Sequence, residues 1–341
     1  MKIKLTNKLI VSDYSLPLIV AEISANHNGS KKRFLNHIIK AKQAGADLIK
    51  IQTYEENDIS FDLSNLKKSN LKNHYEIYKK SKTKYEWHQE AFKLAKNIKI
   101  PIFSSPFSLK AVEFLEKLNC PIYKIASLEI TDYSLIYQIA KTNKPIIISC
   151  GSAKMSEIDN AVRIINKFHN KLIIMYCRSS YPLKPDQSNL LSIVHLKKKF
   201  NRNIIGYSDH TNSNDTSRIA CLLGAKIIEK HFVIDKKKTL DSKFSITPVM
   251  LKKLKNVISK DHVIKGNKKP YLLQEEIVRR KYRRSIYAIK EIKIGEKFTK
   301  HNIKSLRPKI GLCASKYFTI LNKVSKRNYT KNSPIKANEA N

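Results

Sequence analysis

Two apolar runs end in side chains that belong to chemistry rather than to packing. Ile205-Gly-Tyr-Ser-Asp-His-Thr211 passes from buried aliphatics into small, acidic and imidazole groups, and Ala225-Lys-Ile-Ile-Glu-Lys-His-Phe232 ends the same way. Each reads as a buried strand whose last residues emerge at one end of a sheet. His210 and His231, on neighbouring strand ends, are then placed to share a divalent ion, with water and a substrate oxygen completing its shell. Either imidazole alone reads as a hydrogen-bonded strand-end histidine. The pair, among the groups below, reads as a metal site.

The elements that must carry these groups show in the hydrophobic pattern. Apolar runs fall at Leu18–Ile23, Leu48–Thr53, Ile102–Ser105, Ile122–Ser127, Pro145–Cys150, Leu172–Cys177, Ile204–Ser208 and Lys226–Phe232. Between them lie stretches with helical spacing, such as Phe34, Ile38, Ile39 and Ala41. Eight strand-then-helix units up to about Lys260 predict an α/β fold, a (β/α)8 barrel. A doubly wound sheet is the alternative, but no GxGxxG follows any run. A barrel demands that reactive residues cluster at the C-terminal ends of its strands. They do: Glu22; Lys50 with Gln52, two residues apart and so on one side; Ser104-Ser105; Lys124, Ser127 and Glu129; Ser149-Cys150-Gly151; Ser179-Ser180-Tyr181. Barrel interiors are normally filled by branched apolar layers, so strand lysines need a reason. Lys50 and Lys124 among several serines suit an anion bearing phosphate and carboxylate.

Composition narrows the class. The chain has 341 residues, 42% of them hydrophobic, enough for a large core and one small further domain. Asp13 and the early lysines interrupt any signal-like apolar stretch, and no run approaches the roughly 20 apolar residues of a membrane span. Five cysteines without CxxC spacing predict free thiols in a reducing cytoplasm rather than a zinc cluster. The 66 Lys+Arg against 28 Asp+Glu raise the reading of a basic nucleic-acid-binding protein on a barrel scaffold. The lysines are spread along the chain rather than gathered in a stripe with interleaved aromatics, which favours compositional bias and an anionic substrate. Residues 1–260 read as the barrel and 261–281 as a linker with Gly266 and Pro270. Residues 282–341 read as a small β-rich domain with a turn at Ile294-Gly295.

Several motifs resemble one known family. Ala21-Glu-Ile-Ser-Ala-Asn-His-Asn-Gly29, Ala44–Thr53, Tyr123-Lys-Ile-Ala-Ser127, Gly206-Tyr-Ser-Asp-His-Thr211 and Glu229-Lys-His-Phe232 resemble the sialic acid synthases, which join a TIM barrel to a C-terminal antifreeze-like (SAF) domain. Arg283–Tyr287, Arg307-Pro308 and Gly311-Leu312 resemble that second domain. Ser24–Asn28, Tyr85–His88, Phe103–Phe107, Ser179–Pro182 and Leu240–Ser245 are similar to the pseudaminic acid branch rather than the N-acetylneuraminate branch, which usually has Asn where Ser179 stands.

The resemblance implies a metal-dependent transferase that condenses phosphoenolpyruvate with an open-chain amino-sugar aldehyde, releasing phosphate and giving a nine-carbon 2-keto acid. In this branch the acceptor is 2,4-diacetamido-2,4,6-trideoxy-L-altrose, and the product feeds flagellin or surface-polysaccharide glycosylation. A legionaminic or N-acetylneuraminate synthase is the alternative. It further implies that His210 and His231 hold Mn²⁺ or Mg²⁺. Lys50, Lys124, Ser105, Ser127, Ser149, Ser179 and Ser208 bind phosphoenolpyruvate, and Gln52, Tyr181 and Asp241 address the sugar. Glu22, with Glu129 second, is the acid/base carboxylate. Arg307 reaches an N-acetyl group from the partner of a domain-exchanged homodimer. Asp209 reads as an orienting group or helix cap, His27 as a loop histidine, and Trp87 and His88 as packing.

Overall fold

The computed structural model describes residues 1–62, 69–235, 237–266 and 269–340, with the backbone alone for 69–73. The chain divides into two compact units, Met1–Gly266 and Asn267–Asn341.

The first unit is a closed parallel barrel. Its strands are β3 (Leu18–Glu22), β4 (Leu48–Thr53), β5 (Ile102–Pro106), β6 (Tyr123–Ile125), β7 (Ile146–Ser149), β8 (Leu172–Cys177), β9 (Ile204–Asp209) and β10 (Ile227–His231), and β10 closes against β3. They form strands because they are near-continuous aliphatic runs, the pattern of strands covered on both faces. Every residue of β8, Leu-Ile-Ile-Met-Tyr-Cys, is buried. Between the strands, amphipathic helices begin at side-chain caps. Ser30, Ser108, Asp132 and Thr247 accept from the backbone N–H of Arg33, Ala111, Leu135 and Met250, satisfying donors that a helix start leaves open.

Four features depart from the sequence pattern. A hairpin, β1 (Lys2–Lys4) with β2 (Ile10–Ser12), precedes the barrel, and its Ile3, Leu5 and Val11 join the barrel core. Three-residue strands are too short for periodicity to mark. The run at Ile122–Ser127 yields only Tyr123–Ile125 as strand, because Ser127 turns into the 3₁₀ helix Leu128–Thr131. The long β4–β5 connection holds helices Glu56–Ile59, Ser69–Ser81 and Tyr85–Asn97. The last helix of the unit, Pro248–Lys265, runs beyond Lys260 and stops at Gly266, whose φ of 61° needs no Cβ.

The second unit pairs β11 (Ser285–Ala288) antiparallel with β12 (Ile303–Leu306) around a small core of Ile286, Ile292, Phe298, Ile303, Ile320 and Ile335. The expected turn at Ile294-Gly295 is present, with Gly295 at φ 87°. Among the described residues no helix is long and apolar enough to cross a membrane.

Candidate active site at the mouth of the barrel

Strand alternation decides which side chains meet. On β9 and β10, Ser208 with His210 and Glu229 with His231 face the interior, while Asp209 and Lys230 between them face the surrounding helices. Asp209 accepts from Thr216 (2.7 Å), Ser217 (2.5 Å) and the Thr211 backbone (2.9 Å), with Lys230 Nζ at 3.1 Å. It is thus an orienting group that fixes the loop after β9. The inward residues surround a cavity of about 720 Å³ at the C-terminal mouth. Of the groups singled out from sequence, Lys50, Gln52, Lys124, Ser127, Ser149, Tyr181, Ser208, His210, His231 and Asp241 line it together.

At its floor two lysines share one carboxylate. Glu229 accepts from Lys50 Nζ at 2.7 Å, from Lys124 Nζ at 3.2 and 3.3 Å, and from Ser208 Oγ at 3.2 Å. Burial opposes its charge, but the Lys124 and Lys50 ammonium groups overcome that and hold the carboxyl well below the usual range. Lys50 is pushed down to about 8, chiefly by burial, against the pull of Glu229 and with Lys124 adding to the push. Glu22 is fully buried beside them, its Oε2 3.0 Å from Lys50 Nζ. Neither Glu22 oxygen has a hydrogen-bond partner.

On one wall stand the imidazoles, their ring centroids 5.6 Å apart. His210 Nδ1 donates to the Arg178 carbonyl at 2.8 Å, which leaves Nε2 unprotonated and open to the cavity side, 3.3 Å from Ser208 Oγ. Burial, with His231 adding, holds the ring neutral, down to about 3. His231 Nδ1 is buried without a hydrogen-bond partner, 3.5 Å from Asp241 Oδ2. Tyr181 lies over His210 at 4.1 Å between centroids and Phe244 against His231 at 4.8 Å, an aromatic frame that fixes both rings. Among the described residues no three of His, Cys, Asp and Glu cluster as a metal site by themselves, so an ion here would take other ligands from water or substrate.

The hydroxyl groups are poised to donate. Ser105 Oγ and Ser149 Oγ are buried without partners, and Ser105 stands beside Gln52 in the β4–β5 register. Ser127 Oγ accepts from the Gly151 N–H at 3.2 Å and lies 3.1 Å from Cys177 Sγ. Gly151 leaves the room these side chains occupy: a Cβ there would fall 2.4 Å from Ser179 Oγ, 2.7 Å from Cys177 Sγ and 2.9 Å from Ser127 Oγ. That close approach draws the exposed Ser179 into the group.

Not every expected residue joins. Glu129 stands outside the lining, half-buried, its carboxyl raised to about 7 mainly by burial, with Asp132 adding. Arg307 is exposed at the end of β12 in the second unit. His27 packs edge-on against Phe34 and Trp87, and His88 bonds Thr53 at 2.8 Å; burial holds both near 4, neutral and structural. Sequence reading gave no role to Glu229, though it precedes His231 by the same two residues that separate Ser208 from His210. It also passed over Ser24, Phe244, and His74 and Tyr78 on helix Ser69–Ser81, all of them lining residues. The signal for that helix was the unusually long stretch between β4 and β5, since oversized loops at this face commonly serve the site.

Comparison with known proteins agrees with this arrangement. Residues 37–270 match the NeuB family and residues 283–340 the SAF domain. A pseudaminic acid synthase of Helicobacter pylori is 39% identical over 335 residues, covering 95% of this chain and 97% of its own. An N,N'-diacetyllegionaminic acid synthase of Campylobacter jejuni is 34% identical over 331 residues, covering 94% and 98%. The crystal structure of an N-acetylneuraminic acid (sialic acid) synthetase from Leptospira borgpetersenii superposes with a TM-score of 0.75 at 28% identity, covering 82% of this chain and 94% of its own. The chain belongs to the NeuB family, the sialic acid synthases, its barrel followed by a SAF domain.

Proposed function

We propose that the chain condenses phosphoenolpyruvate with 2,4-diacetamido-2,4,6-trideoxy-L-altrose, the reaction of a pseudaminic acid synthase. One observation carries the reading: two buried lysines and the unpartnered Ser149 hydroxyl face the same cavity as the two imidazoles of His210 and His231. Lys50 and Lys124 take the phosphate and carboxylate of phosphoenolpyruvate, with hydroxyl donors from Ser105, Ser127, Ser149, Ser179 and Ser208. Gln52, Tyr181 and Asp241 align the open-chain sugar so that its aldehyde carbon meets the enol methylene carbon. A bond forms between those carbons, water adds to C2 of the former enol, and phosphate leaves. Glu22, buried beside the Lys50 ammonium with neither oxygen in a hydrogen bond, takes the proton of that water, with Glu129 as the second acid/base group.

The donor set fits a divalent ion, Mn²⁺ or Mg²⁺, held by His210 and His231. Its support is the lone pair left on His210 Nε2 and the unpartnered His231 Nδ1 beside Asp241. Bound there, such an ion polarises the aldehyde oxygen. Arg307 of a partner copy reaches an N-acetyl group, which makes the working unit a domain-exchanged homodimer. The five free thiols support a cytoplasmic enzyme.

The test is phosphate release from phosphoenolpyruvate with the altrose acceptor, with Mn²⁺ or with chelator, for wild type and His231→Ala. Metal-dependent release that falls at least about a hundredfold in the variant is expected. Release with N-acetylmannosamine or the legionaminic acceptor alone would keep the reaction and correct the sugar.

A further inference from the structure

Ser24 has a backbone its side chain does not favour. Its φ is +44°, in the left-handed region. Of the nine non-glycine residues with positive φ among the described residues, six are asparagine, whose short amide tolerates that region; the others are Lys99, Ser152 and Ser24, and of these three Ser24 alone lines the cavity. Glycine would adopt this conformation without the Cβ conflict. Ser24 also lines the cavity, where it is only 8% exposed. A side chain kept in such a place against its backbone preference points to a task for the hydroxyl.

The Ser24 hydroxyl accepts from Gln52 Nε2 at 3.3 Å. The turn that carries it is tied at the next residue, where the Ala25 N–H donates to Asp241 Oδ2 at 3.2 Å. A hydroxyl lone pair takes the NH₂ end of the Gln52 amide. The carbonyl oxygen of Gln52, another lining residue, is thereby turned away from Ser24.

We infer that Ser24 is a positioning residue that sets acceptor specificity: it locks the Gln52 amide so that Oε1 faces the cavity and reads an N–H donor, an acetamido group of the acceptor sugar. The identity of the sugar rests on the proposed condensation; the polarity of the wall rests on the geometry alone. Without the hydroxyl the amide is free to flip, and its NH₂ end would meet the acetamido N–H.

The experiment compares wild type, Ser24→Gly and Ser24→Ala by KM for each substrate and by melting temperature. Ser24→Gly is expected to raise the acceptor KM about tenfold while leaving that for phosphoenolpyruvate unchanged, the loss of about one well-made buried hydrogen bond. Its melting temperature stays level or rises, because glycine relieves the backbone. Ser24→Ala loses the same affinity without that relief. Wild type also discriminates against an N-methylacetamido acceptor, and Ser24→Gly does so less. An unchanged acceptor KM in Ser24→Gly would overturn the inference. So would equal rises in both KM values with a lower melting temperature, the mark of a merely structural serine. Should wild type use a different amino sugar, the reaction reading is corrected and the same comparison is made on that sugar. Should no sugar turn over, calorimetric titration of acetamido hexoses onto wild type and Ser24→Gly reads the difference directly; equal binding, or none, would overturn the inference.

Discussion

Lys50 and Lys124 converge on Glu229, and that carboxylate supplies in the free protein the negative charge that the proposed substrate brings when it binds. Glu229→Gln keeps the shape and removes the charge, leaving two buried ammonium groups facing each other with Glu22 as the remaining neighbouring carboxylate. Breaking a buried ionic cluster in this way costs about 3 kcal/mol or more. Phosphoenolpyruvate should restore part of it, so the melting temperature of the variant should rise further on adding phosphoenolpyruvate than that of wild type. Denaturant unfolding and thermal shifts with and without the ligand measure both; a variant as stable as wild type would remove Glu229 from this role. A strand glutamate read singly is an oddity, whereas one within reach of two lysines and a serine is an organising centre.

At the scale of elements, the site is a consequence of strand ends meeting a glycine turn. The β7 end passes from Ser149 through Cys150 to Gly151, and the missing Cβ lets Ser127, Cys177 and Ser179 close over the backbone. Gly151→Ala would push a methyl group into those three atoms. We expect it to cost about 1–3 kcal/mol of stability by overpacking, and to raise the KM for phosphoenolpyruvate about tenfold by displacing two of its hydroxyl donors. Unfolding and steady-state assays together check this; an unaffected KM would separate the serines from the anion site. The loop after β9 is held from the other side of the wall. Asp209, Lys230, Thr216 and Ser217 form a buried polar cluster behind His210, so the imidazole is fixed in front by Tyr181 and from behind by the loop's own bonds.

For the whole molecule the dominant quantity is charge, formally +38. Lysines spread over the surface create a field that draws small anions toward the protein without specifying where they bind. Raising KCl from about 0.05 M to about 0.5 M shortens the screening length severalfold. It should lower kcat/KM for phosphoenolpyruvate several-fold while leaving the KM of the uncharged amino sugar unchanged. Steady-state kinetics across salt test this, and loss of the sugar KM as well would point to a general effect on folding. The two units have separate cores, the larger built on the barrel and the smaller on Ile286, Phe298 and Ile335 with their neighbours. Each therefore has its own account of stability.

Sequence alone determined the barrel, because eight aliphatic runs separated by amphipathic stretches admit few alternatives, and the period of two placed Lys50 with Gln52, and His210 and His231 at strand ends. It also marked more than half of the described cavity residues, since lysines and serines at the ends of buried strands conflict with packing and so announce themselves. Its motifs indicated the family. Only the tertiary structure decided how those groups act on one another. That Glu229 joins two lysines, that Gly151 admits three side chains, and that helix Ser69–Ser81 contributes to the cavity wall are relations between residues far apart in the chain. The left-handed turn at Ser24 is local, yet its composition hides it, because serine carries no signal for positive φ. Local pattern specifies which face a side chain takes; closure of the barrel specifies what it meets there.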